Sequence, residues 1–232
     1  CLNGVAWYLS VQAFLYAIFP GLLALLKKVD TRRLRCIAAA IFCAQFLFSL
    51  AIWKAGLSGK SIFYLTYLCP LFRAGDFAIS CCMGCLYHSR KEERIPHGAF
   101  SLLELAAVLF SGGCFFIAAR QVGALGAVAF RYNVLFTPSA VLLVWLLAVG
   151  KGVISRLLSA KPFLWLAGLS PYGFLIHQVL IRYMELAANK LGLTAHPVAW
   201  TLTVFLLTLC LSSFYKALEH RVRKRHAKAA AR

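Results

Sequence analysis

Seven apolar stretches separated by short basic loops set the limits on what this chain can become. They run over 5–26, 34–54, 65–87, 99–119, 134–149, 162–184 and 197–215. Each is long enough, or nearly so, to cross about 30 Å of hydrocarbon as a helix. Hydrocarbon offers no partner to a backbone amide, so such stretches form helices that satisfy their own N–H and C=O groups. Of the 232 residues 62% are hydrophobic and 14% charged, and no stretch is polar enough to make a separate soluble domain. The expected fold is therefore all-α, a polytopic transmembrane helix bundle of about seven spans over 1–216, with a basic tail at 217–232. The fifth stretch is the shortest.

A formal charge of +18 invites a nucleic-acid reading, but the placement of the charge excludes it. Alternate loops hold 18 basic residues on one side against 6 on the other. The rich loops carry Lys27, Lys28, Arg32, Arg33 and Arg35, then Arg90, Lys91 and Arg94, then Lys151, Arg156 and Lys161, and finally the tail. The positive-inside rule puts that side in the cytoplasm, with the carboxy-terminus inside and the first residue outside a cell (inner) membrane. The tail reads as a solvated run against anionic inner-leaflet lipids. No basic leader with a small-residue cleavage site precedes the first stretch. Cys82 and Cys85 form a C-x-x-C, but no second pair or histidine stands at ligand spacing, so no metal is expected and these cysteines read as helix-packing residues.

Ionisable groups inside a span are expensive and mark function by default. They are Arg73, Asp76, Glu104 and His177, with Gln12 as an uncharged companion. Arg73 and Asp76 are three apart, share a helix face and can pair, either for structure or for chemistry. Glu104 lies one turn into its helix and reads as interfacial. His177 follows Ser170, Pro171, Tyr172 and Gly173, and the two helix-weakening residues make a polar border for a cavity plausible. A single histidine of this kind is also compatible with plain packing. The depths of Gln12, Arg73, Asp76 and His177 all fall in the outer half or near the middle of the bilayer. They predict one polar cavity formed by the first, third and sixth spans.

At these residues the chain resembles the membrane acyltransferase type 3 family. Trp7 through Pro20 is similar to a family block of the form Trp-Ser-Leu-x-Val-Glu-x-x-Phe-Tyr-x-x-x-Pro. Pro70-Leu71-Phe72-Arg73-Ala74-Gly75-Asp76-Phe77 resembles a Pro-Leu-Phe-Arg-x-x-Glu-Phe block. Gly168 to His177 resembles Gly-x-x-Ser-Tyr-x-x-Tyr-Leu-x-His, and Glu219-His220-Arg221 weakly echoes a Glu-Arg-Pro-like step. Two departures stand out. An amide, Gln12, replaces the acid of the first block and cannot exchange a proton as a carboxylate does. The helices that open family members, with their histidine, have no counterpart, so the chain corresponds to the last seven of ten spans.

The resemblance implies a membrane O-acyltransferase that moves an acyl group, expected to be acetyl, from acyl-CoA (acetyl-CoA) to a hydroxyl of an extracytoplasmic carbohydrate. Acyl-CoA enters as co-substrate, with no bound cofactor, and membrane lipids and the carbohydrate acceptor are the other expected partners. The catalytic candidates are His177, Arg73 and Asp76. The substrate-binding candidates are Gln12, Ser10, Tyr172, Ser170 and Trp7. The alternatives are a catalytically inactive remnant and a transporter or flippase of lipid or sugar.

Overall fold

A computed structural model describes residues 7–89, 97–120, 129–131, 134–192 and 197–230, the side chains at 97, 191 and 225–230 excepted. Arg90, Lys91, Arg94 and Arg232, and the first two positions of the 5–26 stretch, lie outside the described residues. All regular structure among the described residues is helical. The chain forms two compact bodies, one over 8–158 and one from 159 onward.

The first body opens with α1 (Trp7–Leu26) and α2 (Thr31–Lys54). The junction is set by Asp30, whose carboxylate caps α2 by accepting from the Arg33 amide at 3.3 Å. That side-chain oxygen satisfies one of the amides left open at a helix start. Leu26 and Leu34 on either side of the turn bury against Cys82 of α4 (Pro70–Ser89), which fixes α1 and α2 to that helix. α2 packs along α4, where Phe48 and Phe72 meet at a ring separation of 5.5 Å, and Phe19 of α1 meets Phe77 of α4 at 5.9 Å.

The third stretch is not one helix. α3 (Gly59–Phe63) runs into a π-helical turn, Tyr64–Leu68, and α4 then starts at Pro70 with a bend of 41°. Proline has no N–H to give the preceding turn and its ring crowds the carbonyl four residues back, so the helix breaks there. Thr66, fully buried, turns its hydroxyl to the Ile62 carbonyl at 2.8 Å and so satisfies its own polar group inside the turn.

α5 (His97–Arg120) is followed by α6 (Thr137–Val149) and the short α7 (Val153–Leu158). Glu104 on α5 is fully buried within the protein. Its Oε2 accepts from the amides of Ile154 (2.9 Å) and Ser155 (3.2 Å) in the first turn of α7. Ser101 adds a hydroxyl that accepts from the Val153 amide. A carboxylate aimed at unpaired helix-start amides gains both hydrogen bonds and the favourable end of the helix dipole.

Two side-chain bonds give α6 its direction. Thr137, at its start, donates to Asp76 near the start of α4 (3.4 Å), and Tyr87, near the end of α4, donates to the Ala148 carbonyl at the end of α6 (2.9 Å). α6 thus runs alongside α4 in the same sense. Phe130, upstream of it, stacks between Phe46 and Trp53 at the opposite end of the body. The fifth stretch therefore carries the chain from the Trp53 level to the Tyr87 level, although its helix has only 13 residues.

The second body holds α8 (Lys161–Ala167), α9 (Ser170–Leu191) and α10 (Pro197–Ala230). α8 and α9 meet at a 57° bend around Gly168 and the buried Leu169. α9 packs against α10 where Gly173 faces Thr208 and the buried Ser212, each 3.6 Å from where a Cβ would stand. α10 continues without a break into the basic tail as far as Ala230. α6 and α9 end at Gly150 and Gly192, both left-handed, a conformation that costs glycine nothing.

By length and composition four helices can each cross a membrane, and the two bent pairs bring the number to six. The expected seven full spans change accordingly: the third and sixth are broken, and the helix of the fifth is too short to cross by itself. All-α architecture and a membrane-spanning character stand.

Candidate functional site

Polar chemistry in the first body gathers at the break before α4. Arg73 Nη1 donates to Asp76 Oδ2 at 3.1 Å, the pairing that the three-residue spacing predicts, and both side chains are about a quarter exposed or less. Arg73 Nε donates to the Tyr67 carbonyl at 2.9 Å, and the guanidinium lies 4.8 Å over the Tyr67 ring. The π-helical turn is what presents that carbonyl. A guanidinium fixed by two of its edges and by an aromatic face has little freedom left to lose. Arg73 lines a cavity of about 480 Å³.

That cavity runs between α4 and α6. Arg73, Asp76 and Thr137 stand at one end and Tyr87 with Trp145 at the other. Its walls between are largely apolar, and the two α4–α6 hydrogen bonds close it at each end. The composition of the walls differs from the expectation: the third and fifth stretches form it, and the first does not. Gln12 instead donates to Tyr16 on its own helix at 2.6 Å, with Tyr16 exposed. In the same turns of α1, Trp7 is half-buried and Ser10 exposed.

Gln45 of α2 belongs to the site and was not expected from the sequence. It is 6% exposed and its Nε2 donates both to Asp76 Oδ1 (3.2 Å) and to the Phe72 carbonyl (3.0 Å). It fits because residue 75 is glycine: a Cβ there would stand 2.6 Å from Gln45 Nε2. Asp76 therefore receives three donors, from Arg73, Gln45 and Thr137. The signal in the sequence was a lone amide inside an apolar run, of the same kind as Gln12.

The second body carries its own polar set. His177 is half-buried, and its Nδ1 is 3.0 Å from the Gly173 carbonyl. A carbonyl can only accept, so Nδ1 carries the hydrogen and Nε2 of the neutral ring keeps its lone pair. Tyr172 donates a short hydrogen bond to Glu219 of α10, which also pairs with Arg223. The segment from Gly168 to His177 and the Glu219 step, far apart in sequence, thus meet in space. Ser170 is exposed at the start of α9.

A family model described as an acyltransferase domain matches residues 2–216. The chain belongs to this acyltransferase type 3 family. No curated protein and no solved structure matches it. Within the acyltransferase fold, the segment around Arg73 builds a fixed cation beside a cavity, and the segment around His177 leaves a ring nitrogen able to take a proton. The chemistry available is charge stabilisation in the first body and proton transfer in the second.

Proposed function

We propose that the protein is a cell (inner) membrane O-acyltransferase that transfers an acyl group, acetyl in the first instance, from acyl-CoA to a hydroxyl of an extracytoplasmic carbohydrate. The observation that carries this reading is the Arg73 guanidinium, held by Asp76 and the Tyr67 carbonyl, in a residue that lines the cavity. In acyl transfer the alcohol oxygen attacks the thioester carbonyl carbon, and negative charge builds on the carbonyl oxygen. A pre-positioned cation at that oxygen lowers the barrier, because it needs no reorganisation as the charge appears. Arg73 takes that role. Asp76 positions it, and Gln45 and Thr137 position Asp76.

His177 Nε2 takes the proton of the attacking hydroxyl and returns it to the departing coenzyme A sulfur, while the new C–O ester bond replaces the C–S bond. Tyr172, Ser170, Ser10, Trp7 and Gln12 are assigned to substrate binding. Gln12 hydrogen-bonds and does not titrate. The basic-loop asymmetry supports a cytoplasmic carboxy-terminus, and the shared direction of α4 and α6 agrees with it, because α6 then returns the chain to the side where α4 ends.

The test is transfer of label from acetyl-CoA to carbohydrate in membranes containing the protein. Arg73→Ala abolishes transfer, whereas Leu71→Ala, at a position 75% exposed two residues away, leaves it intact. Full activity of His177→Ala overturns its role. No transfer by the unaltered protein overturns the enzymatic reading in favour of an inactive remnant.

A further inference from the structure

A second cavity, of about 500 Å³, lies entirely within the second body, where α8, α9 and α10 meet. Trp165 and Leu169 form its apolar wall, and Lys216, His220 and Arg223 bring basic groups from one face of α10. Lys216 is the first residue after the apolar run of that helix, so the pocket sits where the run gives way to the basic tail.

The state of Lys216 is unusual. It is half-buried, yet it has no hydrogen bond or ion pair among the described residues. The carboxylate that lines the same pocket, Glu219, is already engaged by Tyr172 and Arg223. Gly168 makes room for the lysine: a Cβ at that position would collide with Lys216 Nζ. The fold therefore clears space for an ammonium group, and among the described residues no carboxylate pairs with it. Holding a charge partly out of water without a partner is costly, and an incoming anion removes that cost.

We propose that this pocket is a phosphate-binding site, with Lys216 as its principal ligand and His220 and Arg223 at its rim. Glu219 also lines the pocket, where its two carboxylate oxygens are engaged by Tyr172 and Arg223. A tetrahedral phosphate presents several acceptor oxygens to such a set, and the Trp165 and Leu169 wall accommodates the organic part that carries it. The site requires no acyl transfer, so it stands or falls separately from the proposed reaction.

The experiment uses the full protein in phosphatidylcholine nanodiscs, with thermal unfolding as the readout. A ligand that binds only the folded state raises the unfolding temperature with a saturable concentration dependence. In one arm adenosine 3′,5′-bisphosphate is titrated from solution. In the other, phosphatidylglycerol replaces phosphatidylcholine stepwise. A saturable rise in the first arm assigns a soluble nucleotide phosphate, and one in the second alone assigns a lipid headgroup.

In whichever arm responds, Lys216→Gln weakens binding at least tenfold, Lys216→Arg restores most of it, and Lys224→Gln, an exposed basic residue on the same helix, leaves it unchanged. Gly168→Ala keeps every charge but displaces the lysine, and it also weakens binding. No saturable response in either arm overturns the proposal. So does an undiminished response in Lys216→Gln, which would leave Lys216 as a cap on the end of α8.

Discussion

Replacing Gly75 with alanine adds one methyl group at the centre of the Arg73 site, and the outcome follows from where that methyl would go. It would stand 2.6 Å from Gln45 Nε2 and 2.9 Å from its Cδ. Gln45, at 6% exposure, has no water to retreat into, so the amide must leave both Asp76 and the Phe72 carbonyl. A hydrogen bond to a charged acceptor contributes about 1.5–3 kcal/mol and a neutral one about 1 kcal/mol. Hydrogen bonds between helices in a membrane average nearer 0.6 kcal/mol. The loss therefore lies between about 1 and 4 kcal/mol, while alanine returns about 1 kcal/mol through its better helix propensity. The net expectation is a destabilisation of about 0–3 kcal/mol. The decisive comparison is a double-mutant cycle with Gln45→Ala, followed by thermal unfolding in detergent. Once Gln45 has been truncated, nothing resists the Gly75 methyl, and Gly75→Ala becomes neutral or stabilising. A coupling of about 2 kcal/mol, with a change of sign, is the expected signature. Equal destabilisation in both backgrounds would refute the argument, since the methyl would then be meeting something other than Gln45.

Other perturbations test the remaining links. Gly152→Ala places a methyl on the buried Glu104 carboxylate and removes its two bonds to the first turn of α7, at a cost of about 2–4 kcal/mol in thermal unfolding. Arg73→Lys keeps the charge but cannot reach both the Tyr67 carbonyl and Asp76, so acyl transfer falls at least tenfold while the protein stays folded by gel filtration. Tyr87→Phe removes the tie to the Ala148 carbonyl at the far end of the cavity and costs about 0.6 kcal/mol, with transfer from acetyl-CoA unchanged. Should that variant abolish transfer, the reacting end of the cavity would be the Tyr87 end and not the Arg73 end.

The apolar runs made the helices legible because hydrocarbon leaves the backbone no alternative, and Asp30 before Thr31 marked a helix start in the usual way. The breaks were harder to read. Pro70 and Gly168 sit inside runs apolar enough to pass as single spans, and hydropathy counts residues without asking which amides are missing. The π-helical turn that presents the Tyr67 carbonyl has no sequence signature at all, yet it decides where the Arg73 guanidinium is held. What the sequence conveyed about the site was its local half. Arg73 and Asp76 are three residues apart, so helix geometry alone predicts their bond. The bonds from Gln45 to Asp76, from Glu104 to Ile154 and from Tyr172 to Glu219 span 31, 50 and 47 residues, and no spacing rule reaches that far.

Even so, two of those long-range bonds leave a trace. Gln45 and Glu104 each point a long polar side chain at a glycine, Gly75 or Gly152, where any Cβ would displace it. Lys216 stands the same way against Gly168, and there the polar end group has no partner among the described residues. Inside a bilayer a polar end group needs both a partner and room, and a glycine on the facing element supplies the room. A lone amide, acid or amine in an apolar run is therefore best read together with the glycines of the helices it packs on. By that rule Gln45 joins the Arg73 site, Glu104 joins the packing between α5 and α7, and Lys216 becomes the residue at which the proposed phosphate is to be sought.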